Sequence, residues 1–193
     1  MTRTRPGLAE ECIRSQPQLV IGIGSPHGDD RAGWAIAEQL SSDCALTSVC
    51  QVRKAAVPHD ILDWIQPNTL THIVDACLSD ISSVERYQLI AQNSKPDTGS
   101  HLLGPALGEY AAREDRNELS LNGALSNLRS SSSHQFDLRA VLQLANELGQ
   151  LPRQLVLWVV PALNLARGDE IHARTMQLIC QCAIRIRQEL RRA

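Results

Sequence analysis

Aromatic side chains are scarce, at 3% of the 193 residues, so the sequence has few stacking platforms for single-stranded nucleic acid. Charge of one sign is missing too. Acids and bases nearly balance, to a formal net charge of -2, which leaves no electrostatic footprint for nucleic acid or for an anionic membrane. No apolar run approaches the roughly 20 residues of a membrane span. The opening stretch MTRTRPGLAEECIRSQPQ also lacks the apolar centre of a secretory signal. The expected location is the cytoplasm. Six cysteines are present (Cys12, Cys44, Cys50, Cys77, Cys180 and Cys182), but no two are spaced as Cys-x-x-Cys. That argues against a zinc cage, a redox dithiol or a disulfide scaffold and leaves scattered thiols.

What is present is a rhythm of strands and helices. The run QLVIGIG, residues 18–24, is short, apolar and closed by glycine, as a buried strand is. In RAGWAIAEQLSS the residues Trp34, Ile36, Ala37 and Leu40 suit one face of a helix. A second strand is expected over 46–52, then a helix opened by Pro58 and carrying Ile61, Leu62, Trp64 and Ile65. THIVDAC, residues 71–77, reads as a third strand with an acid near its carboxyl end, and VERYQLIAQ, residues 84–92, as a fourth. Residues 93–133 mix Pro, Gly, Ser, Asn and charges, with a helical turn or two expected over 102–113. A helix over 136–148 stops at Gly149, QLVLWVV at 154–160 is a fifth strand, and a long helix over 169–191 starts acidic and ends basic.

Strands alternating with helices predict an α/β fold, with three layers (α/β/α) around a twisted, mostly parallel sheet of about five strands. No linker divides the chain, so one domain is expected over residues 1–193, with 1–17 as a loose tail and 93–133 as an irregular insertion.

Three places carry chemistry. The loop GIGSPHGDD follows a strand and precedes a helix, the setting of a dinucleotide-binding turn, but its third glycine falls one position late at Gly28. Asp29 and Asp30 would also put negative charge where a pyrophosphate needs N–H donors. The two aspartates could equally cap a helix. Asp75 lies where an open α/β sheet binds ligands, although a solvated strand end is the plainer reading. His134 precedes a helix and could be no more than its first polar residue. Two carboxylates and an imidazole, each from a loop after a strand, nevertheless form a set that binds a borderline divalent ion with positions left open. Spacing alone leaves their convergence undecided. His27, three residues from Asp30 on the same loop, is close enough to be a further ligand or proton carrier but is not taken as one; His72 and His101 are read as bystanders, and Cys77 as a small packed hydrophobe.

GIGSPHGDDRAGW, IVDAC and SSHQFDLRAVLQLANELGQLP resemble, in order and separation, the three motifs of the hydrogenase maturation endopeptidases. The resemblance implies that Asp30, Asp75 and His134 bind metal. It also implies an endopeptidase that removes a C-terminal extension from a nickel-iron hydrogenase large-subunit precursor after nickel insertion. Nickel is then supplied by that precursor, its partner, and another divalent ion can take the site in vitro. Ser25 stands where the family often has Asn, Arg31 where a small residue is common, and RKAAVP at 53–58 departs from the Asp-Gly-Gly-Thr stretch of some members. Substrate choice is therefore not carried over. A diverged, non-catalytic partner that checks the metal is the alternative, and a nucleotide-binding module the more distant one.

Overall fold

The computed structural model describes residues 17–46, 48–78, 82–91, 110–114, 117–120, 133–165 and 170–193, with backbone alone for 90, 91, 110–114, 117–120 and 133–137. The expected tail, apart from Pro17, and most of the expected insertion lie outside these residues.

The sheet is built from β1 (Gln18–Ile23), β2 (Cys50–Ala55), β3 (Leu70–Leu78), β4 (Glu85–Ala91), β5 (Tyr110–Glu114), β6 (Asn117–Ser120) and β7 (Gln154–Ala162). Its order is β2-β1-β3-β7-β4-β5-β6. The first four of these run parallel, and β4, β5 and β6 each pair antiparallel. The five strands expected from the sequence make up the contiguous run from β2 to β4. β5 and β6 extend it within the segment expected to be irregular, and residues 110–113 are strand where a helical turn was expected.

Helices α1 (Ala32–Ser41) and α3 (Ala173–Leu190) cover one face, where Ile36, Leu40, Ile179 and Ile186 join Val20, Val74 and Trp158 in one core. Helix α2 (Ser133–Glu147) and the 3-10 turn Pro58–Asp63 cover the other, where Leu138, Val141 and Ile61 meet Ile21, Ile73 and Leu157. This is the three-layer α/β/α arrangement. β1, β3 and β7 were legible as apolar runs because both of their faces are covered.

Several expected boundaries move, each for a physical reason. β2 begins at Cys50 rather than Leu46, because Leu46 closes a turn instead, accepting from the Val49 and Cys50 N–H groups at 3.0 and 2.8 Å. As an edge strand, β2 leaves Gln51, Arg53 and Lys54 exposed, and the two bases also guard the edge. The stretch after Pro58 is 3-10 rather than α, and the Asp60 carboxylate holds it by accepting from Ala56 and Val57 N–H at 2.8 and 3.2 Å. α2 begins at Ser133, three residues before the expected start, and its stop is Gly149 at φ 67°. α3 starts at Ala173, so its first turn carries no acid; the cap is His172, whose Nδ1 accepts from Arg174 N–H at 3.2 Å.

Packing between β1 and α1 depends on two glycines. A Cβ on Gly22 would stand 2.0 Å from Gly33 O, and a Cβ on Gly33 would stand 2.0 Å from Ile23 O and 2.9 Å from Val74 O. Backbone therefore lies on backbone, and the helix presses the following loop onto the strand ends.

Candidate functional site

β1 leads across to β2 on one side, whereas β3 lies on its other side and leads toward β4 beyond β7. The loops after β1 and β3 therefore diverge and leave a crevice outside the carboxyl ends of the strands, the usual ligand position in open α/β sheets. Asp30 and Asp75 both fall there.

Asp75 pairs in register with Val159, and the register of β1 on β3 puts it level with Ile23, the last residue of β1. Along β3 it shares parity with Ile73 and Cys77, both in the α2-side core, so its carboxyl group faces the α2 layer. It is 5% exposed, and one oxygen accepts from the Ala76 N–H at 2.8 Å. Burial pushes its pKa up to about 7, against the Ala76 N–H, which lowers it, and with the nearby Asp30 charge raising it further.

Asp30 sits on the 3-10 turn Gly28–Arg31 and is 6% exposed. Its backbone oxygen accepts from Ser25 N–H at 3.3 Å, and a Cβ on Gly24 would stand 2.2 Å from that same oxygen. Gly24 thus lets the turn fold back onto the end of β1. Among the described residues, neither Asp30 nor Asp75 forms a salt bridge.

Asp29, the other half of the acidic pair, is occupied quite differently. It is fully buried, with Oδ2 accepting from Leu163 and Asn164 N–H at 2.8 and 3.1 Å and Oδ1 from His172 N–H at 2.7 Å. Its own N–H donates to Asn164 O at 2.9 Å. By sequence, Asp29 and Asp30 read alike as helix caps. No local signal separates them, because the donors lie 134 to 143 residues away along the chain.

His134 is the second residue of α2 rather than a residue ahead of it, and its side chain lies outside the described residues. Its backbone position follows from topology. The α2 C-terminus passes through Leu151 and Arg153 into the start of β7, with Arg153 N–H bonded to Pro67 O just before β3. That is the amino edge of the sheet. A helix of 15 residues rises about 22 Å, so α2 begins at the carboxyl edge, on the face that Asp75 addresses.

Of the other candidates, His27 is half-buried before the 3-10 turn, and His101 lies outside the described residues. Cys77 is 2% exposed within the α2-side core, as a packed hydrophobe is. His72 faces the opposite core, where its Nδ1 accepts from Trp158 Nε1–H at 3.1 Å. Burial, with the Arg86 charge adding to it, pushes its pKa down to about 3.

Among the described residues, no three His, Cys, Asp or Glu side chains stand close enough to hold a metal ion. Asp30 and Asp75 supply two acids whose mutual repulsion and burial a divalent cation would relieve, so the donor chemistry fits such an ion. A pyrophosphate does not fit. The N–H groups of Leu163, Asn164 and His172 are already taken by Asp29, and Asp30 adds charge of the wrong sign.

The chain has the fold of the hydrogenase maturation endopeptidases. It superposes on the hydrogenase maturating endopeptidase HybD from E. coli with a TM-score of 0.62 at 16% identity, covering 91% of this chain and 93% of that one. An endopeptidase from Escherichia coli solved in solution gives 0.66 at 17% identity, with 91% and 93% covered. The hydrogenase 2 maturation peptidase from Thaumarchaeota archaeon SCGC_AB-539-E09 gives 0.55 at 17%, with 91% and 98% covered. No family model matches the sequence, and no curated protein matches it. Likeness at such identities speaks for the fold alone.

Proposed function

We propose that this chain is an endopeptidase that removes a C-terminal extension from a nickel-iron hydrogenase large-subunit precursor after nickel has been inserted. The observation that carries the reading is the Asp30 and Asp75 pair, buried without a salt bridge among the described residues. It stands at the switch point of a fold shared with hydrogenase maturation endopeptidases. His134, at the start of α2 on the same edge, completes the donor set.

Nickel belongs to the substrate in this reading. Seated in the precursor, it meets Asp30, Asp75 and His134, offsets the repulsion between the two acids and polarises the scissile carbonyl. A precursor without metal brings no charge to offset that repulsion and docks poorly, so cleavage doubles as a check on metal insertion. The metal charge opposes the burial that raises Asp75 in the metal-free fold, so engagement of nickel would favour the Asp75 carboxylate over its protonated form. The cytoplasmic location expected from the sequence belongs to the same reading. Among the described residues, no helix is long and apolar enough to cross a membrane.

Intact-mass analysis of a cognate precursor, nickel-loaded and nickel-free, tests the proposal with wild type, Asp30→Ala and His134→Ala. Loss of a discrete C-terminal peptide is expected only from the nickel-loaded precursor and only with wild type. Unchanged mass, in an assay that a known maturation endopeptidase passes, overturns cleavage of that precursor. If the precursor is still bound under those conditions, the non-catalytic metal-checking role replaces it.

A further inference from the structure

The two acids of the Gly28–Arg31 turn are adjacent in sequence, yet one is saturated with hydrogen bonds and the other has none to its side chain among the described residues. A 3-10 turn advances about 120° per residue, since three residues complete it. Fixing the side chain of one residue therefore fixes the direction in which the next one leaves the turn.

Asp29 is fixed very firmly. Four hydrogen bonds tie it to the segment after β7: three accepted by its carboxylate and one donated by its own N–H to Asn164 O. Carboxylate bonds of this kind are short and about twice as strong as neutral ones. The same carboxylate also gathers both sides of the β7–α3 connection, with Leu163 and Asn164 on one oxygen and the cap residue His172 on the other. On the opposite side of the turn, the Asp30 peptide is held against Gly24 and Ser25. Rotation of the turn is thereby blocked from both sides.

We propose that Asp29 is a positioning residue, whose anchoring to Leu163, Asn164 and His172 sets the rotation of the Gly28–Arg31 turn and so aims the Asp30 carboxylate at Asp75. The proposal rests on the reading of Asp30 and Asp75 as a metal-engaging pair. It divides the Asp-Asp pair into one acid that builds the site and one that uses it. Outer groups that orient a ligand in this way commonly change metal affinity by about ten- to a hundredfold when removed.

The test uses the full chain, with Asp29→Asn as the main variant, Asp30→Asn as the ligand control, and two readouts. In the first, nickel(II) chloride alone is titrated calorimetrically into metal-free protein at about pH 7.5, above the value to which Asp75 is raised. Asp29→Asn is expected to bind at least about tenfold more weakly while remaining folded, and Asp30→Asn to lose binding. In the second, amide hydrogen exchange is followed by NMR without metal. Loosening of the turn in Asp29→Asn is expected to speed exchange not only at Leu163, Asn164 and His172 but also at Ser25, whose N–H bonds to Asp30 O.

A lowered Tm with wild-type nickel affinity and an unchanged Ser25 amide overturns the proposal, leaving Asp29 as an anchor for the β7–α3 connection only. If wild type itself fails to bind nickel, the metal-engaging reading falls, and the Ser25 amide alone decides whether Asp29 orients the turn. Should Asp29→Asn not fold, His172→Pro serves instead. At φ -61° that residue already has the angle a proline holds, so the change deletes one donor to Asp29, together with the α3 cap on Arg174 N–H, without straining φ there. It is expected to speed Ser25 exchange in the same direction by less, and an unchanged Ser25 amide in a folded His172→Pro counts against the proposal.

Discussion

Replacing Asp75 by Asn should stabilise the metal-free protein, and by more as the pH rises. Asp75 titrates at an ordinary 3.8 in the unfolded chain and at about 7 in the fold. Between those values the folded state holds the proton more tightly, so the number bound is greater folded than unfolded and stability falls with increasing pH. Each pH unit in that window is worth about 1.4 kcal/mol, which sets a ceiling of roughly 4 kcal/mol on the penalty above pH 7. His72 acts with the opposite sign. Its folded pKa of about 3 lies below its ordinary 6.5, so its contribution is present above 6.5 and is lost as the pH falls toward 3. The two slopes largely cancel in the wild-type profile between about pH 4 and 6.5, and only the difference between variant and wild type isolates Asp75. The amide introduced by Asp75→Asn would keep an oxygen for the Ala76 N–H and could offer its own N–H to Asp30. The assay is urea denaturation of both proteins at about pH 5 and pH 8 in chelator, and the stability gap should widen by roughly 2–3 kcal/mol from the lower pH to the higher. A gap that stays constant would show that Asp75 carries its charge in the fold without cost, and would remove the physical basis for a cation at this position.

The remaining predictions test the frame around the site. Gly33→Ala should cost at least about 2–3 kcal/mol in urea denaturation, because the new Cβ meets Ile23 O and Val74 O, backbone atoms that cannot turn aside. His72→Leu should cost about 1–3 kcal/mol near neutral pH by stranding the buried Trp158 N–H. The same change removes the slope that offsets Asp75, so stability should rise as the pH falls from about 6.5 to 4, where wild type stays nearly flat, as a urea series across pH would show.

How much could be read from sequence followed the range of the interactions involved. β1, β3 and β7 announce themselves because each is buried on both faces by its own apolar residues. Asp75 at the end of such a run is conspicuous for the same reason. β2 was misplaced by several residues because an edge strand that alternates Cys50, Gln51, Val52, Arg53 looks polar, whereas the apolar Leu46 before it serves a turn. The early start of α2 was hidden by a serine run with no apolar periodicity to mark its first turn. The different work of Asp29 and Asp30 could not be read at all. It depends on N–H groups at 163, 164 and 172, brought in by β7 and α3, and nothing in the neighbouring sequence encodes that.

Strand β3 carries two buried titratable groups three residues apart, His72 and Asp75, and the contrast between them locates function more narrowly than either does alone. Odd and even positions of a strand address opposite faces, so His72 enters the α1 and α3 side and Asp75 the α2 side. Burial pushes both toward their neutral forms. For His72 the neutral form holds throughout the physiological range; Nδ1 receives the Trp158 N–H, which leaves the proton on Nε2, buried without a partner among the described residues. For Asp75, burial and the Asp30 charge hold the proton up to about neutral pH, and among the described residues no salt bridge supports the carboxylate once it is lost. Locally unfavourable arrangements that persist in a fold cluster where function requires them. On the proposed reading, the missing positive charge belongs at the carboxyl edge on the α2 face. That is where α2 begins beside His134, and where a metal carried by a docking substrate would supply it.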